Sequence, residues 1–95
     1  MANCVLAVSG RITIDSAPDL RTLLLRQLAM ANCESLTLDL SDVVYVDTSA
    51  LAVLLEALKA ACRLKKEFHL NGLRERPRYL FEATRLLHLF DRVAK

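Results

Sequence analysis

Leu36-Thr37-Leu38-Asp39-Leu40-Ser41-Asp42-Val43-Val44-Tyr45-Val46-Asp47-Thr48-Ser49-Ala50-Leu51 is the stretch on which the reading of this chain turns. Leu36 to Leu40 is an apolar run of strand length, and Ser41-Asp42 reads as an acidic turn that ends it. Val43 to Val46 stays extended, with the β-branched content that favours a pleated surface. At Asp47-Thr48-Ser49 the period changes from two to that of a helix, predicted to run to about Leu64. Capping by Thr48 or Ser49 is the plain local explanation of the two hydroxyls. Leu51, Leu54, Leu55, Leu58 and Cys62 make the expected core stripe of that helix. Val53, Ala57, Ala60 and Leu64 fall on its far side, leaving only Glu56, Lys59 and Arg63 as a polar strip. A helix apolar nearly all round is either deeply buried or offers one face to something else.

Upstream, Val5 to Val8 reads as a strand, Ser9-Gly10 as punctuation and Arg11 to Ile14 as further extended chain. Ser16-Ala17-Pro18-Asp19 is a helix start: Ser16 suits the cap, Pro18 the first turn, and Asp19 a bond back to the cap. Ala17, Leu20, Leu24, Leu28 and Ala31 share one face, with Leu23 and Met30 beside them and Asn32 as the stop. Downstream, Lys65-Lys66 is a turn, Glu67 to Leu70 a strand and Asn71-Gly72 a turn. Arg76 to Arg85 is then a helix, with Tyr79, Leu80, Phe81 and Leu86 as apolar contacts. Leu86 to Val93 is a short amphipathic tail. Alternating strands and helices demand crossover connections. The expected fold is α/β, a small, largely parallel or mixed sheet of about four strands with helices packed on it.

At 95 residues the chain has room for one domain, spanning 1–95. Apolar residues are 54% and charged ones 25%, a globular rather than disordered balance. Two glycines and two prolines argue against a turn-rich barrel or a glycine-rich phosphate loop. Net charge is only +2, but residues 1–58 hold three arginines against seven acids, while 59–95 hold ten basic residues against four acids. Such polarity can steer a partner; Arg74, Arg76 and Arg78 read more simply as solvated helix surface. No aromatics interleave with the basic half, so nucleic-acid binding is not expected. Cys4, Cys33 and Cys62 are an odd number without a C-x-x-C pair, which points to reduced thiols rather than a disulfide frame or zinc site. No signal segment opens the chain, and Asp47 and Glu56 break its most apolar stretch. A cytoplasmic protein without membrane insertion is expected.

Chemistry in such a sheet gathers at strand carboxyl ends. Asp15-Ser16, Asp39-x-x-Asp42 and Asp47-Thr48-Ser49 compete for that place. Four aspartates invite a Mg²⁺-dependent aspartyl-phosphate reading, but no room remains for the lysine motif and cap that such enzymes need. Asp39 and Asp42 are better read as turn residues. His69 alternates with Phe68 and Leu70 and is expected to face solvent, and His88 reads as tail surface. No metal site, cofactor or catalytic residue is expected. Tyr45 either packs beside the loop or borders a partner site.

Leu38-Asp39-Leu40-Ser41-Asp42-Val43 through Val46-Asp47-Thr48-Ser49-Ala50-Leu51 resembles the signature of STAS domains, the sulfate-transporter and anti-sigma-factor-antagonist family. The resemblance extends to Ser9 through Asp15, to Leu80-Phe81-Glu82-Ala83-Thr84 and to Leu89-Phe90. It implies phosphorylation at Thr48, with Ser49 as secondary candidate. It also implies docking of a partner through Asp15 and the segment from Asp47, Thr48, Ser49, Ala50 and Leu51 to Leu54. The partner implied is a serine/threonine kinase acting as anti-sigma factor, released by phosphorylation. A second reading within the same family is the cytoplasmic STAS subunit of a phospholipid-transporting ABC system of the Mla type, which contacts the ATPase. Phosphate adds about −1.5 to −2 charges at a helix N-terminus that tolerates anions, so such a switch would act on the interface rather than on the fold. Three features depart from the family pattern: Ala50 for a glycine, Arg85 for a helix-ending glycine, and little chain before Val5. The last would leave a sheet edge open to pairing, hence an expected homodimer.

Overall fold

The computed structural model describes residues 3–85. Strand β1 spans Asn3–Ile12, helix α1 Ala17–Ala29, β2 Ser35–Val46, α2 Thr48–Arg63, β3 Glu67–Asn71 and α3 Glu75–Ala83. Among the described residues the sheet has three strands in the order β1-β2-β3, both pairings parallel. Each crossover steps the same way across the sheet, and right-handed connections then put α1 and α2 on one face. There the two helices lie against each other, joined on their outer side by Arg21 and Glu56. The rows Cys4–Leu36–Phe68 and Leu6–Leu38–Leu70 point into this layer; Val5, Thr37 and His69 form an alternate row on the other side.

The α/β class is as expected, with three described strands in place of about four. The turn expected at Ser41-Asp42 does not form, because pairing with β1 continues past it. Between Ala7/Ser9 and again between Gly10/Arg11, β2 carries one more residue than β1, and these irregularities absorb the polar pair. Asp39 stabilises the first of them by accepting from the Ser41 N–H at 3.0 Å and from the Ser41 hydroxyl at 2.5 Å. Those two bonds hold its carboxyl below the usual aspartate range. The turn at Asn71-Gly72 does form: Gly72 has φ +75°, and a Cβ there would lie 2.2 Å from Ser41 Oγ.

Several side chains are placed differently from their sequence expectation. Val53, Ala57 and Ala60 on the far side of α2 are buried, so the fold itself covers the face that looked free, while Cys62 and Leu64 are exposed. The reason is that α2 packs between the sheet and α1 and is therefore apolar on two sides. Helix α1 ends at Ala29, which leaves Met30 and Ala31 exposed beyond it and Leu23 exposed on its flank; Cys33 fills the core instead. Tyr79 on α3 is 74% exposed, and the buried contacts of that helix are Pro77 and Phe81. His69 is half-buried rather than solvent-facing, its Nε2 2.9 Å from Glu67 Oε1. Leu86 to Val93, with His88, Leu89 and Phe90, lies outside the described residues. Among the described residues no helix is long and apolar enough to cross a membrane.

Candidate functional site

Ile12 and Val46 are register partners, so β1 and β2 finish side by side and their loops meet. Asp47 joins them. Its N–H donates to the Ile12 carbonyl at 3.1 Å, its Oδ2 accepts from the Ile14 N–H at 3.0 Å, and its Oδ1 accepts from the Ala50 N–H at 3.2 Å. Asp47 is therefore the N-cap of α2, a role for which the sequence offered Thr48 or Ser49. A carboxylate serves better than a hydroxyl here because one oxygen caps the helix while the other holds the neighbouring loop.

With the cap supplied by Asp47, the hydroxyls of Thr48 and Ser49 make no hydrogen bond among the described residues. Thr48 is exposed at the first residue of α2, and Ser49 is half-buried behind it. Asp15, exposed, directly follows the Ile14 that Asp47 holds, so the Asp15 loop is tied to the start of α2. Ser16 helps shape that loop: its hydroxyl accepts from the Thr13 N–H at 3.0 Å, and its side chain makes no cap bond to α1. Ala50, Leu51 and Leu54 have less than a twentieth of their surface exposed. They anchor the helix start on the core and leave Asp15, Asp47, Thr48 and Ser49 as the exposed or half-buried part of the expected docking set.

β3 ends at Asn71, opposite Asp39, whereas β2 runs on to Val46. Helix α3 packs against β2. Between this helix and the start of α2 lies a mainly apolar groove of about 590 Å³, lined by Tyr45, Val46, Asp47, Thr48, Glu75, Arg76, Tyr79 and Leu80. Tyr45 has two neighbours here. Its ring stacks under the Arg11 guanidinium, 4.7 Å from centroid to Cζ, and it also lines the groove. The sequence pattern does not reveal the α3 wall, since only the third dimension brings Arg76 and Tyr79 into one groove with Thr48. A solvent-facing tyrosine on a short helix was the available signal.

Among the described residues the Asp39 carboxylate is engaged by Ser41 and the Asp47 carboxylate by two backbone donors. Among the described residues no three His, Cys, Asp or Glu side chains come together as metal ligands. An accessible, unengaged hydroxyl at a helix N-terminus beside an apolar groove is suited to contact and to modification.

The family model described as Mlab, STAS domain, matches residues 1–91. Among solved structures, the fold is similar to that of the anti-sigma factor antagonist SpoIIAA in its unphosphorylated form, at TM-score 0.69 and 11% identity over 85% of this chain and 74% of that one. It is also similar to a sulfate transporter family protein from Wolinella succinogenes, at TM-score 0.80 and 13% identity over 95% of this chain and 72% of that one. No curated protein matches the sequence.

Proposed function

This chain belongs to the STAS-domain family, and from that premise we propose that it is a non-catalytic docking subunit that engages the ATPase of a Mla-type phospholipid transporter on the cytoplasmic side. The observation that carries the reading is the groove beside Thr48, whose hydroxyl makes no hydrogen bond among the described residues. A side chain with no structural partner is free to meet another protein, and an apolar groove next to it supplies area to bury. The ATPase stands first because the matched model is the Mlab one, over nearly the whole chain, whereas the likeness to SpoIIAA at 11% identity speaks for the fold.

The phospho-switched antagonist is the second reading, favoured by the accessibility of the Thr48 hydroxyl at the α2 N-terminus. There a serine/threonine kinase binds the unmodified loop and phosphorylates Thr48, with Ser49 as neighbour. Phosphate then adds bulk and charge that a tightly packed partner cannot solvate. Co-purification with the transporter ATPase and, separately, with a serine/threonine anti-sigma kinase distinguishes the two readings. Retention of the ATPase by wild type and its loss with Thr48→Glu supports the first; retention of the kinase alone replaces it with the second. If both proteins pass through, both readings fail.

A further inference from the structure

Arg74, Arg76 and Arg78 crowd the start of α3: Arg74 is the N-cap, and the other two lie in the first turns. All three are exposed, and among the described residues none has an ion-pair partner. Glu75 is the only acid in that turn, and Arg74 provides no side-chain cap. This is an unfavourable place for cations, because the helix dipole already presents its positive end there. The isolated domain thus carries a local electrostatic conflict at the rim of the mainly apolar groove beside Thr48, and such conflicts concentrate where a surface serves something outside the fold. Arg76 lines that groove together with Thr48, and Arg74 and Arg76 border an adjoining depression with Val44 and Pro77. Val44 is 46% exposed.

We infer that this rim and groove receive an acidic segment of the partner protein that carries a bulky apolar anchor, the acids meeting Arg74, Arg76 and Arg78 and the anchor entering between Tyr45 and Tyr79. The inference rests on the docking reading above and specifies the chemistry of its partner. Acidic groups relieve the repulsion at the helix start, and the bounded apolar space calls for a side chain rather than a flat charged surface. A membrane surface would use the arginines but leave the groove empty.

The test measures affinity of the whole chain for the purified transporter ATPase at about 50 and about 300 mM salt. It compares wild type with the combined Arg74→Glu, Arg76→Glu, Arg78→Glu variant, with Tyr79→Ala, and with Lys59→Glu as a charge-reversal control on α2. Wild-type binding should weaken at high salt. The triple variant should lose about tenfold or more at low salt and most of its salt dependence, with no loss of melting temperature. Tyr79→Ala should weaken binding at both salt concentrations, and Lys59→Glu should bind as wild type. A triple variant that binds like wild type overturns the inference and leaves the docking reading standing. Retention on phosphatidylglycerol vesicles, abolished by the triple substitution while ATPase binding persists, also overturns it in favour of a lipid surface. No ATPase binding by wild type at either salt overturns both.

Discussion

The Asp47 carboxylate and the Ile14 N–H, 33 residues apart in sequence, meet at 3.0 Å. Because the same carboxylate caps α2 through Ala50, one side chain sets the position of Asp15 relative to Thr48. Asp47→Ala removes a cap and leaves the Ile14 N–H without its acceptor, so a loss of about 1–3 kcal/mol is expected in urea unfolding. Asp47→Asn keeps one acceptor oxygen and should cost less. Equal stability of Asp47→Ala and wild type would refute the joint role.

Thr48→Glu should leave the melting temperature almost unchanged. The side chain is exposed and makes no hydrogen bond among the described residues, and an acid in the first turn of a helix is weakly favourable, by roughly 0.3–1 kcal/mol. Leu54→Ala, six residues on and fully buried, should cost about 2–5 kcal/mol through the cavity it leaves. Parallel thermal melts check both. A large drop for Thr48→Glu would mean that Thr48 is structural.

Lys65 closes α2. Its φ is +58°, its N–H donates to Cys62 O at 3.1 Å, and the Lys66 N–H donates to Ala61 O at 2.9 Å. That paired motif normally takes glycine at the left-handed position. Lys65→Gly should therefore raise stability by about 1 kcal/mol in chemical denaturation. Arg85, at φ +60° with its N–H donating to Glu82 O at 3.0 Å, takes the same left-handed position after α3, where the family resemblance leads one to expect a glycine.

Cys33 is buried, and burial, aided by the Cys4 thiol beside it, pushes its pKa from 9.0 up to about 11. With the folded value above the unfolded one, its contribution to stability is complete below about 9 and is lost as pH rises towards 11. Iodoacetamide at mildly alkaline pH should label the exposed Cys62 first, the half-buried Cys4 later and Cys33 only on unfolding. Mass spectrometry of timed samples reads the order. Early labelling of Cys33 would contradict its burial.

Period and punctuation carried most of the fold. The shift from extended residues at Val43 to Val46 into the helix opened by Asp47 was legible because the cap grammar is local. The continuity of β2 through Ser41-Asp42 was not, because a strand crosses two polar residues only when a paired neighbour holds it there. Likewise the burial of Val53 and Ala57 depends on α1, which a single helical wheel does not include. At the candidate site, the resemblance singled out Asp15, Asp47, Thr48 and Ser49 as expectations, whereas Arg76 and Tyr79, which line the groove beside Thr48, come from a helix whose approach no local pattern encodes. The uncharged outer strand β1, from Asn3 to Gly10, carries the homodimer proposal; a mass that stays monomeric at every concentration would count against it.

The central claim is that partner contact occupies the groove between the α2 start and α3. Hydrogen–deuterium exchange of the whole chain, alone and with the transporter ATPase, tests it most directly. Slowed exchange is expected at 45–49 and 75–80, with α1 unchanged. Slowing confined to β1 or α1, with both groove walls exchanging as in the free protein, would contradict it.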